Sequence, residues 1–153
     1  MDIPYSYDTK NPSLEVIKNE KIQFNDDVTF QSRHWEEIFY YTREFETKSN
    51  FKLVTINLNI PFTGTTNQWG RARILLYLDE EIIGDSSIHG CKCGDCLRPL
   101  NIMGTKINLN HGKHKMKLMA LTDSKLWIPH YCNNNIENME PKMAAFLTII
   151  RQN

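Results

Sequence analysis

No apolar run in this sequence approaches the roughly 20 residues that a membrane-spanning helix needs, so no segment is a candidate for insertion. The first residues, Met1-Asp2-Ile3-Pro4-Tyr5, have neither the basic start nor the apolar stretch of a secretory signal. A place in the cytoplasm or in an assembled particle such as a virion is expected ahead of secretion. Neither sign of charge is in excess: 18 basic and 18 acidic side chains give a formal net charge of zero. Such a chain has no general attraction to nucleic acid or to an anionic membrane. The lysines at 106, 113, 115 and 117 read as the solvated side of a strand.

Catalytic signatures are missing too. The segment Gly64–Gly70 lacks the lysine and helix that complete a phosphate-cradling loop. Ser86 and Ser87 lie near Asp85 and His89, but no nucleophile elbow surrounds them. The adjacent acids Asp26-Asp27, Glu36-Glu37 and Asp79-Glu80-Glu81 would point to alternate faces of a strand, which makes no acid/base pair by itself. A non-enzymatic role is expected.

What is present is period-two hydrophobicity. With 153 residues the chain has room for one domain with a proper core. Residues 1–25, with Pro4, Pro12, Tyr5 and Tyr7 among polar neighbours, read as an extended N-terminal arm with a short helical turn at Leu14–Lys18. Residues 26–153 read as a single β-sandwich domain. In Phe51–Ile60, Val54, Ile56, Leu58 and Ile60 point one way, while Thr55, Asn57 and Asn59 point the other. Arg71–Asp79 repeats the pattern and turns at Asp79-Glu80-Glu81. Gly84–Pro99 reads as a long loop. Leu100–Met103 and Lys106–Leu109 are short strands around Gly104, and Lys113–Leu121 follows a tight turn at His111-Gly112. The stretch Trp35–Phe45 reads as an aromatic strand. Lys142–Arg151 is apolar on nearly both faces.

Surplus apolar faces point to contacts beyond the core. Phe39 and Tyr41, Leu75 and Tyr77, and Met119 and Leu121 alternate with the inward rows of their strands. A two-sheet sandwich needs one apolar face per strand. A second such face must be covered by loops, by the arm or by another subunit, and these six residues are the candidate oligomer interface.

Three of the four cysteines, Cys91, Cys93 and Cys96, fall within six positions, and Cys132 stands two residues after His130. The C-x-x-C spacing suits zinc, with Cys91 and Cys132 completing a four-sulfur site and His89 or His130 as alternates. Two disulfides or four free thiols fit the same residues. A closed four-sulfur site leaves no open position for a substrate, so zinc here would be structural. His111 and His114 flank a turn and are expected at the surface. Trp69, in a polar loop, is the candidate ligand contact, because an aromatic face can stack on a sugar ring.

The run Arg73-Ile74-Leu75-Leu76-Tyr77-Leu78-Asp79, then Ile83-Gly84-Asp85-Ser86, Asn108–Lys117, Leu126-Trp127-Ile128-Pro129 and the closing Phe146–Ile150 together resemble the jelly-roll domains of the C1q/TNF-like type, viral and phage fibre knobs included. The resemblance spans roughly residues 28–153 and is one of strand rhythm. The spaced Phe/Gly/Tyr positions of C1q heads are not present, so no site residues carry over. It implies an antiparallel jelly-roll sandwich and a compact homotrimer displaying loops at one end. The expected function is therefore a structural or attachment module that self-associates in a particle or surface assembly. A lectin-like domain using Trp69 and a zinc-stapled interaction domain are the alternatives.

Overall fold

A computed structural model describes residues 14–22, 28–64, 70–91, 98–123, 126–128 and 145–152. They form β1 (Leu14–Ile22), β2 (Val28–Phe30), β3 (Glu36–Glu37), a 3-10 turn (Phe39–Tyr41), β4 (Arg43–Thr47), β5 (Phe51–Gly64), β6 (Gly70–Leu78), β7 (Glu81–Cys91), β8 (Arg98–Leu109), β9 (Gly112–Thr122), β10 (Leu126–Ile128) and β11 (Ala145–Gln152). Every strand pairing is antiparallel.

The chain alternates between two sheets. In the six-stranded sheet β11 lies between β1 and β5, β8 takes the other edge of β5, and β10 continues from the end of β5 to β2. In the five-stranded sheet β9 lies between β6 and the short strands β3 and β4, and β7 flanks β6. From β4 the path crosses to β5, returns for β6 and β7, crosses to β8, returns to β9 and crosses to β11. This is an all-β sandwich of jelly-roll type, as the sequence led us to expect.

The core lies between the two sheets. Val54, Ile56, Leu58 and Ile60 of β5, with Leu100, Ile102, Leu147 and Ile149, face Ala72, Ile74, Leu76 and Leu78 of β6 and Met116, Leu118 and Ala120 of β9. The inward rows of β5 and β6 are those that period two assigned. Leu78–Glu81 forms a two-residue hairpin whose central residues, Asp79 (φ 49°) and Glu80 (φ 68°), both sit in the left-handed region, as a type I′ turn requires.

One side of the sandwich closes where β7 meets β8 across the sheets. A Cβ on Gly104 would stand 2.7 Å from Ile83 Cγ1 and 2.8 Å from Ile83 O. A Cβ on Gly84 would stand 2.6 Å from Met103 O. Two bare backbones let the edges touch.

Four local expectations change. Leu14–Lys18 is not a helical turn but the start of β1: a single turn has a costly nucleus, whereas β11 offers these residues a ladder. Trp35–Phe45 is not one strand, because the 3-10 turn at Phe39–Tyr41 divides β3 from β4. Within Gly84–Pro99, β7 runs on to Cys91 by pairing with Gly70–Arg73. Leu100–Met103 and Lys106–Leu109 are one strand, with Gly104 inside it opposite Ile56.

Candidate functional site

Leu75, Tyr77, Met119 and Leu121 share the outer face of the five-stranded sheet. Leu75 is the direct cross-strand partner of Met119, Arg73 of Leu121 and Tyr77 of Lys117. All four apolar residues are half-buried. Their surroundings are charged and internally paired. Lys117 Nζ lies 2.8 Å from Glu80 Oε2 and 5.3 Å from the centre of the Tyr77 ring. Its ammonium is held above its ordinary value by Glu80, with Glu37 adding to the effect. Arg73 grips Asp85 with two bonds, at 3.1 and 2.5 Å, and Ser87 N–H donates to the same carboxylate at 2.9 Å. The Arg73 bonds, then that N–H, keep Asp85 below the usual carboxylate range. Arg71 pairs with Asp123.

Phe39 is well exposed on the 3-10 turn beside this sheet, which is anchored by Ile38 N–H donating to Leu118 O at 2.9 Å. Tyr41 does not belong with it. Its side chain is fully buried in the core, because the turn adds a residue and swings the ring inward. Tyr41 is therefore removed from the candidate interface.

The outer face of the six-stranded sheet has a different chemistry, which the sequence reading did not single out. Its rows carry Leu53, Thr55, Asn57 and Asn59 on β5, Asn101, Met103, Thr105 and Ile107 on β8, and Phe146, Thr148, Ile150 and Gln152 on β11. Val16 and Leu14 extend it on β1, opposite Ile150 and Gln152. Ile107 is 68% exposed, Met103 58% and Val16 56%. Across the β11, β5 and β8 rows no side chain is ionisable; Lys21, opposite Phe146, marks one end. Asn101 Nδ2 donates to Asn57 Oδ1 at 2.9 Å, so part of the polarity is already satisfied within the chain. The signal for this face was the last strand, apolar on both sides. Which strands would lie beside it could not be read from spacing.

His114 is buried, contrary to expectation. Its Nδ1 lies 2.5 Å from Asp79 Oδ2 and its Nε2 2.7 Å from Asn110 O, while its ring packs against Phe45. Asp79 Oδ1 also accepts the Lys115 N–H at 2.9 Å. This network ties the β6–β7 hairpin to β9. His111 remains exposed, its N–H donating to Asn50 Oδ1 at 2.8 Å.

Cys91 is the last residue of β7, and His89 lies two positions before it on the same strand. Cys93, Cys96, His130, Cys132 and Trp69 lie outside the described residues. Among the described residues no group of three or more metal-ligating side chains comes together, and no helix is long and apolar enough to cross a membrane.

No protein-family model and no curated protein matches the chain. Among solved structures it is similar to a structure of the infectious bursal disease virus Gx strain, at 9% identity and a TM-score of 0.46, over 92% of this chain and 42% of that one. It is also similar to the crystal structure of the infectious bursal disease virus VP2 subviral particle, at 10% identity and a TM-score of 0.36, over 91% of this chain and 37% of that one. The chain thus spans less than half the length of either.

Proposed function

We propose that this jelly roll is a non-enzymatic structural or attachment module that self-associates as a homotrimer, of the C1q/TNF-like kind, within a particle or surface assembly. The observation that supports it best is the outer face of the six-stranded sheet, whose β11, β5 and β8 rows carry no ionisable side chain among the described residues. Leu53, Met103, Ile107, Phe146, Ile150 and Val16 lie there among threonines and asparagines. Exposed apolar surface of this extent marks an interaction site. A second copy suits it because two uncharged faces meet without repulsion and without desolvating an ion. The face bearing Leu75, Tyr77, Met119 and Leu121 is interrupted by ion pairs and is assigned to solvent in the assembly.

Native mass spectrometry and light scattering of the purified chain test this reading. A trimer is expected. Ile107→Glu or Val16→Glu should give monomers, because each buries an unpaired carboxylate at the contact, at a cost of several kcal/mol. Tyr77→Glu and Leu121→Glu should leave the trimer intact. The reverse pattern would move the interface to the five-stranded sheet, and a monomeric parent chain at micromolar concentration would overturn self-association altogether. The same native mass reports zinc, which we propose as a brace held by Cys91, Cys93, Cys96 and Cys132.

A further inference from the structure

Beside the paired charges of the five-stranded sheet lies an open groove of about 550 Å³, lined by Arg33, Arg71, Arg73, Ile88, Leu121 and Asp123 above the Ala72–Thr122 pair. Four stretches of the chain build it. The segment carrying Arg33 is fixed by a double clamp: Ser32 N–H donates to Thr122 Oγ1 at 2.9 Å, and Thr122 N–H donates to Ser32 O at 2.7 Å. On β6, Arg71 is held by Asp123, whose Oδ1 also accepts the Arg71 backbone N–H at 2.9 Å. Arg73 is held by Asp85 through two bonds. Ile88, 72% exposed and opposite Arg73, forms an apolar wall with Leu121.

Among the described residues, Arg71 pairs with Asp123 and Arg73 with Asp85, which lies beside the groove, while a third arginine, Arg33, also lines it. The Arg33 guanidinium has no carboxylate partner among the described residues. A single guanidinium without a carboxylate partner suits one anionic group. A planar guanidinium takes a carboxylate through two parallel bonds. The apolar wall and the volume, in the range of pockets for small organic molecules, call for a body larger than acetate. Arg71 and Arg73 are already oriented by their pairs, so little ordering remains for a ligand to impose.

We propose that this groove binds an organic monocarboxylate of about the size of one or two rings, its acid group on Arg33 and its body against Ile88 and Leu121. A sugar acid and an aromatic acid present the same chemistry. The site is independent of self-association, because it lies on the opposite sheet from the proposed trimer face.

The test is a ¹⁵N–¹H NMR titration of the full chain with glucuronate and, separately, benzoate, with glucose and inorganic phosphate as comparators. Saturable shifts at Arg33, Arg73, Ile88 and Leu121 are expected with the carboxylates and none with glucose. Tighter binding of glucuronate would assign a sugar acid and tighter binding of benzoate an aromatic one, and either supports the site. Arg33→Gln should weaken binding by about tenfold or more, the scale of one charge-assisted hydrogen bond. Ile88→Asp, at a position exposed enough to spare the fold, should weaken it similarly. No saturable shift with either acid, equal shifts with glucose, tighter binding of phosphate, or unchanged affinity in both folded variants would overturn the proposal.

Discussion

Tyr41 shows how one residue's setting follows from a local turn. The aromatic run Phe39-Tyr40-Tyr41 alternates well enough to suggest a strand with Phe39 and Tyr41 outward. The 3-10 turn breaks that alternation, leaving Phe39 in water and sealing Tyr41 in the core. Burial pushes the Tyr41 phenol well above its ordinary value of 10.0, with Arg43 opposing. The neutral phenol is thus favoured in the folded state. Its contribution to stability is complete below about pH 10, where neither state ionises, and is lost as pH rises from there toward the folded value. The expected slope is about 1.4 kcal/mol per pH unit for this one group. Urea midpoints measured between pH 9 and pH 11 should fall in the parent chain and fall less steeply in Tyr41→Phe. His114 was equally hidden from the sequence reading. A histidine beside a turn usually meets water, and only the register places Asp79 and Asn110 against its two nitrogens.

Among the elements, the long alternating strands were legible and their interruptions were not. β5, β6 and β9 each bury one row of alternate residues, and their inward rows follow from the sequence alone. Gly104 misled in an informative way. Glycine inside a β pattern suggests a break between two short strands, yet here it sits within the continuous β8. Its purpose is a close approach, since backbone and side-chain atoms of Ile83 occupy the place a methyl group would take. Gly104→Ala should therefore destabilise by about 1–3 kcal/mol, the usual cost of overpacking, and lower the midpoint of a thermal melt. A melt identical to that of the parent would show that β7 can draw back freely. The cysteines illustrate the opposite case. Their clustering is plain in the sequence, but spacing alone does not decide among zinc, disulfide and thiol, and of the four only Cys91 falls on a described strand.

For the whole molecule, the two sheets present contrasting exteriors, one laced with ion pairs and the other without ionisable side chains in the outward rows of three adjacent strands. Sequence reasoning anticipated surplus apolar faces but assigned them strand by strand. The uncharged rows lie together because β11 is inserted between β1 and β5, and β8 lies beyond β5. That order brings rows far apart in sequence side by side. An interface made there should respond little to ionic strength, because salt screens charges and this surface has almost none to screen. Sedimentation at 50 mM and 500 mM sodium chloride should return the same oligomer; dissociation at the higher salt would point to the ion-paired sheet.

The insertion of β11 also has a consequence for synthesis. Until Ala145–Gln152 has left the ribosome, β1 and β5 have no shared neighbour. A chain lacking residues 145–152 would carry two raw strand edges that β11 covers. Such edges are templates for pairing with other chains. Nascent chains stalled before β11 has emerged should therefore draw on holding chaperones more heavily than chains that include it, and the eight residues of β11 act as the clasp that ends that exposure.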